Sequence, residues 1–226
     1  MSTLILDIET LAPPLPDADR TAIGRAAAKR DQSFDDFAAL CPPLCRIVAI
    51  GMLSTKTGIV RIDFDSTVFE PLASAEGIDL QPSAGEDRML AHALPVIGGF
   101  SHLVTFNGRG FDLPALYHRA LINGLAVPSV ITASLNQKPW EYERHLDMMQ
   151  ALTFGGAMSK YSLEVFSIAY GLTNPKAGGD GGHVRELAER KDTGALAKYL
   201  SGDLRTTEAL WRTWTTKSVG RRSEAA

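Results

Sequence analysis

Leu4-Ile5-Leu6-Asp7-Ile8-Glu9-Thr10 is the stretch that decides the fold. It is apolar and β-branched for most of its length and stops at Leu11-Ala12-Pro13-Pro14, the pattern of a buried strand near the N-terminus. Alternate side chains of a strand share a face, so Leu4, Leu6 and Ile8 make one apolar face while Ile5 shares the other with Asp7 and Glu9. Those two acids stand roughly 6.6 Å apart at about 3.3 Å per residue, close enough to converge on one cation. Burying them uncompensated is costly, because like charges and desolvation both disfavour ionisation. Either something positive sits against them, or the strand is an edge whose acidic face is wetted by solvent.

Working outward, Pro16 to Leu44 is rich in Ala, Asp and Arg and, with Thr21–Arg30 and Phe34–Leu40, predicts one or two short helices. Its proline-rich borders mark residues 11–45 as an insertion after the first strand. Arg46–Leu53 and Gly58–Phe64 read as two strands joined by a tight turn, a hairpin beside the first strand. After a polar stretch from Glu70 to Gly85, the apolar residues of Glu86–Ile97 recur at helical spacing. His102–Phe106 predicts a fourth strand, Asn107-Gly108-Arg109-Gly110 a turn, and Phe111–Leu121 a helix with Asp112 as N-cap and Pro114 in its first turn. His145–Met149 reads as a short last strand and Leu163–Tyr170 as a helix stopped by Gly171. Gly178–Gly182 is a loop, and Ala195–Trp214 is a long helix with Leu196, Leu200, Leu204, Thr207, Trp211 and Trp214 on one stripe. Residues 220–226 predict a frayed tail. Without an internal repeat or a linker, residues 1–226 read as one α/β domain, a mixed central sheet flanked by helices.

Two further signals join Asp7 and Glu9. Asp112 stands at a strand-to-helix junction, where open α/β sheets bind ligands, although helix capping accounts for it equally well. Tyr199 and Asp203 are four apart on the last helix, one turn from each other on one face, a spacing that is also common without function. The conjunction is more informative than any one of them. Four separated carboxylates able to face one sheet edge are hard oxygen ligands suited to Mg²⁺ or Mn²⁺, and a pair of such ions serves phosphoryl transfer.

Composition narrows the partners. The 226 residues are 45% hydrophobic and 22% charged with a net charge of −3, which leaves no global positive field for holding long nucleic acid non-specifically. No apolar run approaches the ~20 residues of a membrane span, and no basic region precedes the short N-terminal apolar stretch, so no membrane association and a cytosolic location are expected. Cys41 and Cys45 alone complete neither a zinc site nor a disulfide framework. A DxDxT phosphatase is excluded by residue type, since Glu9 stands where the acid/base Asp is required.

Asp7-Ile8-Glu9-Thr10, Asn107 to Asp112 and Tyr199 to Asp203 resemble, in order, the D-x-E, N-G-x-x-F-D and Y-x-x-x-D motifs of the DEDD superfamily of 3′-to-5′ exonucleases. Tyr rather than His in the third motif resembles the DEDDy branch, which includes the proofreading domain of family B DNA polymerases. His145-Leu146-Asp147, Ser162-Leu163, Pro175-Lys176 and Asp180-Gly181 are similar to the stand-alone polymerase-B-like exonucleases. The resemblance implies a ribonuclease H-like fold, with Asp7, Glu9, Asp112 and Asp203 holding two Mg²⁺ or Mn²⁺ ions and Tyr199 orienting the attacking water. A free phenol, with a pKa of about 10, suits a hydrogen-bonding role better than that of a base.

It implies a single-stranded 3′ end as substrate, DNA in preference to RNA, with nucleoside 5′-monophosphates as products. Thr10, Asn107, Arg109 and Phe111 are the implied substrate contacts and Asp147 a supporting group. Phe106 and Tyr161 are further candidates for stacking on bases, Lys160 and Lys176 for phosphate contacts, and His145 and His183 read as structural. The alternatives are an exoribonuclease or oligoribonuclease of the same fold and a non-catalytic binding module. The chain has no room for a polymerase domain, so proofreading in cis is not expected, and the insertion is a candidate gate for the 3′ end or contact of a homodimer.

Overall fold

A computed structural model describes residues 2–75, 77–138, 140–172 and 183–219. Pro175-Lys176, the loop Gly178–Gly182, the tail 220–226 and the side chain of His183 lie outside the described residues. The strands are β1 (Thr3–Leu11), β2 (Arg46–Ser54), β3 (Val60–Asp65), β4 (Ser74–Ala75), β5 (Ile78–Ser83), β6 (His102–Thr105) and β7 (His145–Asp147). The helices are α1 (Asp17–Ala28), α2 (Phe34–Ala39), α3 (Glu86–Gly98), α4 (Asp112–Ile122), α5 (Ser129–Asn136), α6 (Met148–Leu152), α7 (Leu163–Ala169), α8 (His183–Glu189) and α9 (Thr193–Trp214).

The strands form one mixed sheet in the order β4-β5-β3-β2-β1-β6-β7. β1 is an inner strand, antiparallel to β2 on one side and parallel to β6 on the other, so the edge-strand alternative for its acids is overturned. Its two faces divide as the alternation predicts. Leu4, Leu6 and Ile8 enter a core built with α3, α4 and α5, while Ile5 enters the core under Leu196, Leu200 and Leu204 of α9. Asp7 and Glu9 therefore point to the side covered by α9. Between Glu9 and Thr10 the β1–β2 register slips, Glu9 pairing with Ala49 and Thr10 with Ile47, so that Val48 is the extra residue of a bulge. Such an irregularity re-aims the end of a strand.

Several expectations are corrected. The polar reading of Glu70–Gly85 hides β4 and β5; Ile78 and Leu80 are buried in alternation, but the period is short and Pro82 interrupts it. The reading of the chain also passes over α5, α6 and α8. β7 ends at Asp147, not Met149, because the Asp147 carboxylate caps α6 by accepting the backbone N–H groups of Met149 and Gln150. Phe111, not Asp112, occupies the N-cap position of α4, which has no side-chain cap. The insertion, expected to hold one or two short helices, has two, α1 and α2, and among the described residues no helix is long and apolar enough to cross a membrane.

A buried ion pair ties the far face together. Glu86 of α3 accepts the Ile47 backbone N–H at 2.8 Å and the Arg119 Nε at 2.9 Å, joining α3, α4 and β2. Removing the cation strands a buried carboxylate, so Arg119→Met should cost about 3–5 kcal/mol in urea denaturation. Adding Glu86→Gln, which keeps an acceptor for Ile47, should recover most of that loss.

Candidate active site

Three elements carry the acids to one point. Asp7 and Glu9 are half-buried on β1, and Asp203 is buried on α9. One carboxylate oxygen from each of Asp7, Glu9 and Asp203 lies within 4.8 Å of the others. Asp112 joins from the start of α4: its buried carboxylate accepts the backbone N–H of Ile8 at 3.2 Å and hydrogen-bonds with the Asp7 carboxyl. The capping explanation for Asp112 fails on this contact, because the side chain reaches β1 instead of its own helix. All four acids converge as the motif spacing implies. Tyr199 lies half-buried one turn before Asp203, packed against the core beneath α9.

The electrostatics follow from this crowding. Burial first, and then the charges of Asp112, Glu9 and Asp203, push Asp7 well above the usual carboxylate range. Burial likewise pushes Asp112 up to about 7. The hydrogen bond from the Asp7 carboxyl to Asp112 eases the repulsion between the two. The donor set is all hard oxygen, in number and proximity right for divalent Mg²⁺ or Mn²⁺. The residues fit such ions.

The turn that delivers Asp112 is held from below. Asn107 adopts a left-handed backbone (φ 66°), which Asn tolerates well, and Gly108 packs so closely that a Cβ there would stand 2.4 Å from Thr105 Oγ1. Thr105 Oγ1 accepts the Gly108 N–H at 3.1 Å and shares a hydrogen bond of 2.8 Å with His145 Nε2. Burial depresses His145 to about 3, so this histidine is neutral and structural, as its sequence reading has it. Asp147 accepts the backbone N–H of Asn107 at 2.9 Å and of Arg109 at 3.0 Å while capping α6. Burial raises its pKa and those N–H groups oppose the rise. One carboxylate thus clamps the turn to the neighbouring strand end, a role that its position in sequence suggested only as a supporting group.

Three of the four residues implied as substrate contacts, Thr10, Arg109 and Phe111, make contacts within the fold. Thr10 Oγ1 donates to the Ala39 carbonyl at 2.8 Å, fastening the insertion to β1. The Arg109 guanidinium donates to the Gln137 carbonyl. Phe111 is partly buried against the core of the α3–α4–α5 face. Phe106 meets Phe166 edge to face at 5.9 Å, and the exposed Tyr161 lies 6.3 Å from Phe166.

A mixed sheet whose inner strand meets a C-terminal helix at clustered carboxylates defines a protein of the ribonuclease H-like class. Residues 36–218 match the family described as a predicted 3′-5′ exonuclease related to the exonuclease domain of PolB. The chain belongs to that family, and the activity that goes with it is that of a 3′-5′ exonuclease. The match begins after Asp7 and Glu9, which the geometry joins to the site. Among solved structures the chain is similar to the family B DNA polymerase from the hyperthermophilic archaeon Pyrobaculum calidifontis. The TM-score is 0.58 at 16% identity, over 95% of this chain and 24% of the polymerase, a likeness that shows the fold alone. No curated protein matches the sequence.

Raised carboxyl pKa values mean that the folded chain holds more protons than the unfolded one. In chelator, the acid cluster's contribution to stability is therefore lost as pH climbs from the unfolded value of 3.8 through about 7. Asp7→Asn removes much of that penalty and should melt higher than wild type in EDTA, by more at pH 8 than at pH 5. Mn²⁺ should raise the melting temperature of the wild type and not of the variant.

Proposed function

We propose that the chain is a two-ion exonuclease that removes nucleotides one at a time from the 3′ end of single-stranded DNA. The observation that carries this reading is the meeting of Asp7, Glu9 and Asp203 oxygens within 4.8 Å, with Asp112 bonded to Asp7. Asp7, Glu9, Asp112 and Asp203 would hold two Mg²⁺ or Mn²⁺ ions. Such ions supply an acidified water and charge stabilisation for the departing oxygen.

The chain's own groups do the rest. The Tyr199 hydroxyl hydrogen-bonds to the attacking water and fixes its line of approach to the last phosphodiester. Water oxygen bonds to phosphorus, the bond to the 3′ oxygen of the penultimate nucleotide breaks, and a nucleoside 5′-monophosphate leaves with a new 3′ hydroxyl behind it. Asp112 stays in place because its turn is clamped by Asp147. A net charge of −3 supports a grip confined to a few terminal nucleotides. Asn107, whose backbone N–H Asp147 accepts, is an implied contact in the turn that delivers Asp112.

Incubating the full chain with 5′-labelled single-stranded DNA and matched RNA, in Mg²⁺ and in Mn²⁺, tests the reading. A ladder shortened from the 3′ end is expected on DNA; shortening of RNA alone would transfer the activity to ribonucleotides, and an intact strand in every condition rejects it. Asp203→Ala should lose at least about a thousandfold in kcat, in keeping with removal of a main electrostatic group. Tyr199→Phe should lose about a hundredfold with Mn²⁺ binding retained. Asp147→Asn should lower stability by about 1–3 kcal/mol and kcat with it, since the Arg109 N–H then faces an amide NH2 in place of a carboxylate oxygen.

A further inference from the structure

Gly51 lies on β2 directly opposite Asp7 in the β1–β2 ladder, and Ala49 lies opposite Glu9. Both are on the face covered by α9. A Cβ built on Gly51 would stand 2.7 Å from Cγ of Leu200, 3.0 Å from its Cδ2 and 3.0 Å from Cδ1 of Leu204. Carbon atoms in ordinary contact are about 3.5–4.0 Å apart. Leu200 and Leu204 are fully buried, so neither can swing into solvent to make room. Glycine inside a strand weakens it, and its use here marks the close approach of another element.

That approach has a consequence for the acids. Asp203 lies immediately before Leu204 in α9 and Tyr199 immediately before Leu200, so each site residue is neighbour to a leucine that rests on Gly51. The height of these two leucines over the sheet sets how far the Asp203 carboxylate stands from Asp7 and Glu9. We propose that Gly51 is a positioning residue: its missing side chain seats α9 low enough on β1 and β2 for Asp203 and Tyr199 to complete the cation site. This rests on the two-ion reading above.

A methyl group at Gly51 lifts α9 by about 1 Å. Misplacement on that scale costs about 10²-fold in rate, and groups that orient ligands are worth about 10–100-fold in metal affinity. Gly51→Ala in the full chain should therefore lower kcat on single-stranded oligonucleotide about 10²-fold with KM little changed. Calorimetric titration with Mn²⁺ alone should show binding at least about tenfold weaker. Leu200→Ala removes the nearest contacts of the new Cβ and leaves only Leu204 Cδ1 at 3.0 Å, so the Gly51→Ala/Leu200→Ala chain should regain a large part of both.

A Gly51→Ala chain that melts lower yet keeps wild-type kcat and Mn²⁺ affinity overturns the proposal, since Gly51 would then serve packing only. A folded double variant with neither quantity recovered overturns it as well, and this arm stands even where Gly51→Ala alone does not fold. A wild-type chain that neither binds Mn²⁺ nor shortens the strand rejects the two-ion reading itself, and so is told apart from failure of the Gly51 assignment.

Discussion

Mutual repulsion among Asp7, Glu9, Asp112 and Asp203 is the constraint around which the molecule is built. Four carboxyls do not gather unless the surrounding packing holds them. Here that packing is supplied on both faces of β1: Leu4, Leu6 and Ile8 anchor the strand from one side, and Ile5 with the leucines of α9 anchors it from the other. The acids occupy the one stretch of the α9-facing surface where apolar alternation breaks, at Asp7 and Glu9. A strand held this firmly can carry two charges that would otherwise pull it toward solvent.

The supporting interactions share a design in which backbone groups, not mobile side chains, fix the acids. Asp112 is set by the Ile8 N–H, and its turn by the two N–H groups that Asp147 accepts. The turn closes on Thr105, whose hydroxyl also engages a histidine held neutral by burial. The histidine of this layer, depressed to about 3, carries no charge near neutral pH that would disturb the turn. Burial and mutual charge push up both Asp7 and Asp112, where a cation would offset the crowding.

Local pattern made much of this legible in sequence. The alternation of Leu4 to Glu9, the helical stripe of Leu196, Leu200 and Leu204, and the paired spacing of Tyr199 with Asp203 each follow from a period of two or 3.6 residues, and each appears in the structure as read. What stayed hidden depends on partners distant in the chain. Asp112 looked like a cap because its true partner, Ile8, is 104 residues away. Asp147 is defined by N–H groups 38 and 40 residues earlier. Thr10, Arg109 and Phe111 sit inside or beside motifs, yet their described contacts belong to the scaffold, because adjacency in sequence does not say which way a side chain turns after a bulge or a tight turn. β5 escaped because two buried residues and a proline make too short a signal.

The insertion is attached at the same place as the acids, which gives its position meaning. Thr10, next to Glu9, fastens its second helix through Ala39, and Asp36 of that helix meets Arg185 of α8 at 3.0 Å. α8 in turn contributes Val184 and Leu187 to the core beneath α9. The chain is thus linked from one end of β1, through the insertion, to the helix that precedes α9. The first link is a half-buried hydrogen bond and the second an exposed ion pair of small energetic weight, so the insertion is fixed at its root and only lightly tied at its far side. Substitutions at the Asp36–Arg185 contact therefore leave the acids in place, whereas disturbance at Thr10 acts beside the bulge that aims Glu9.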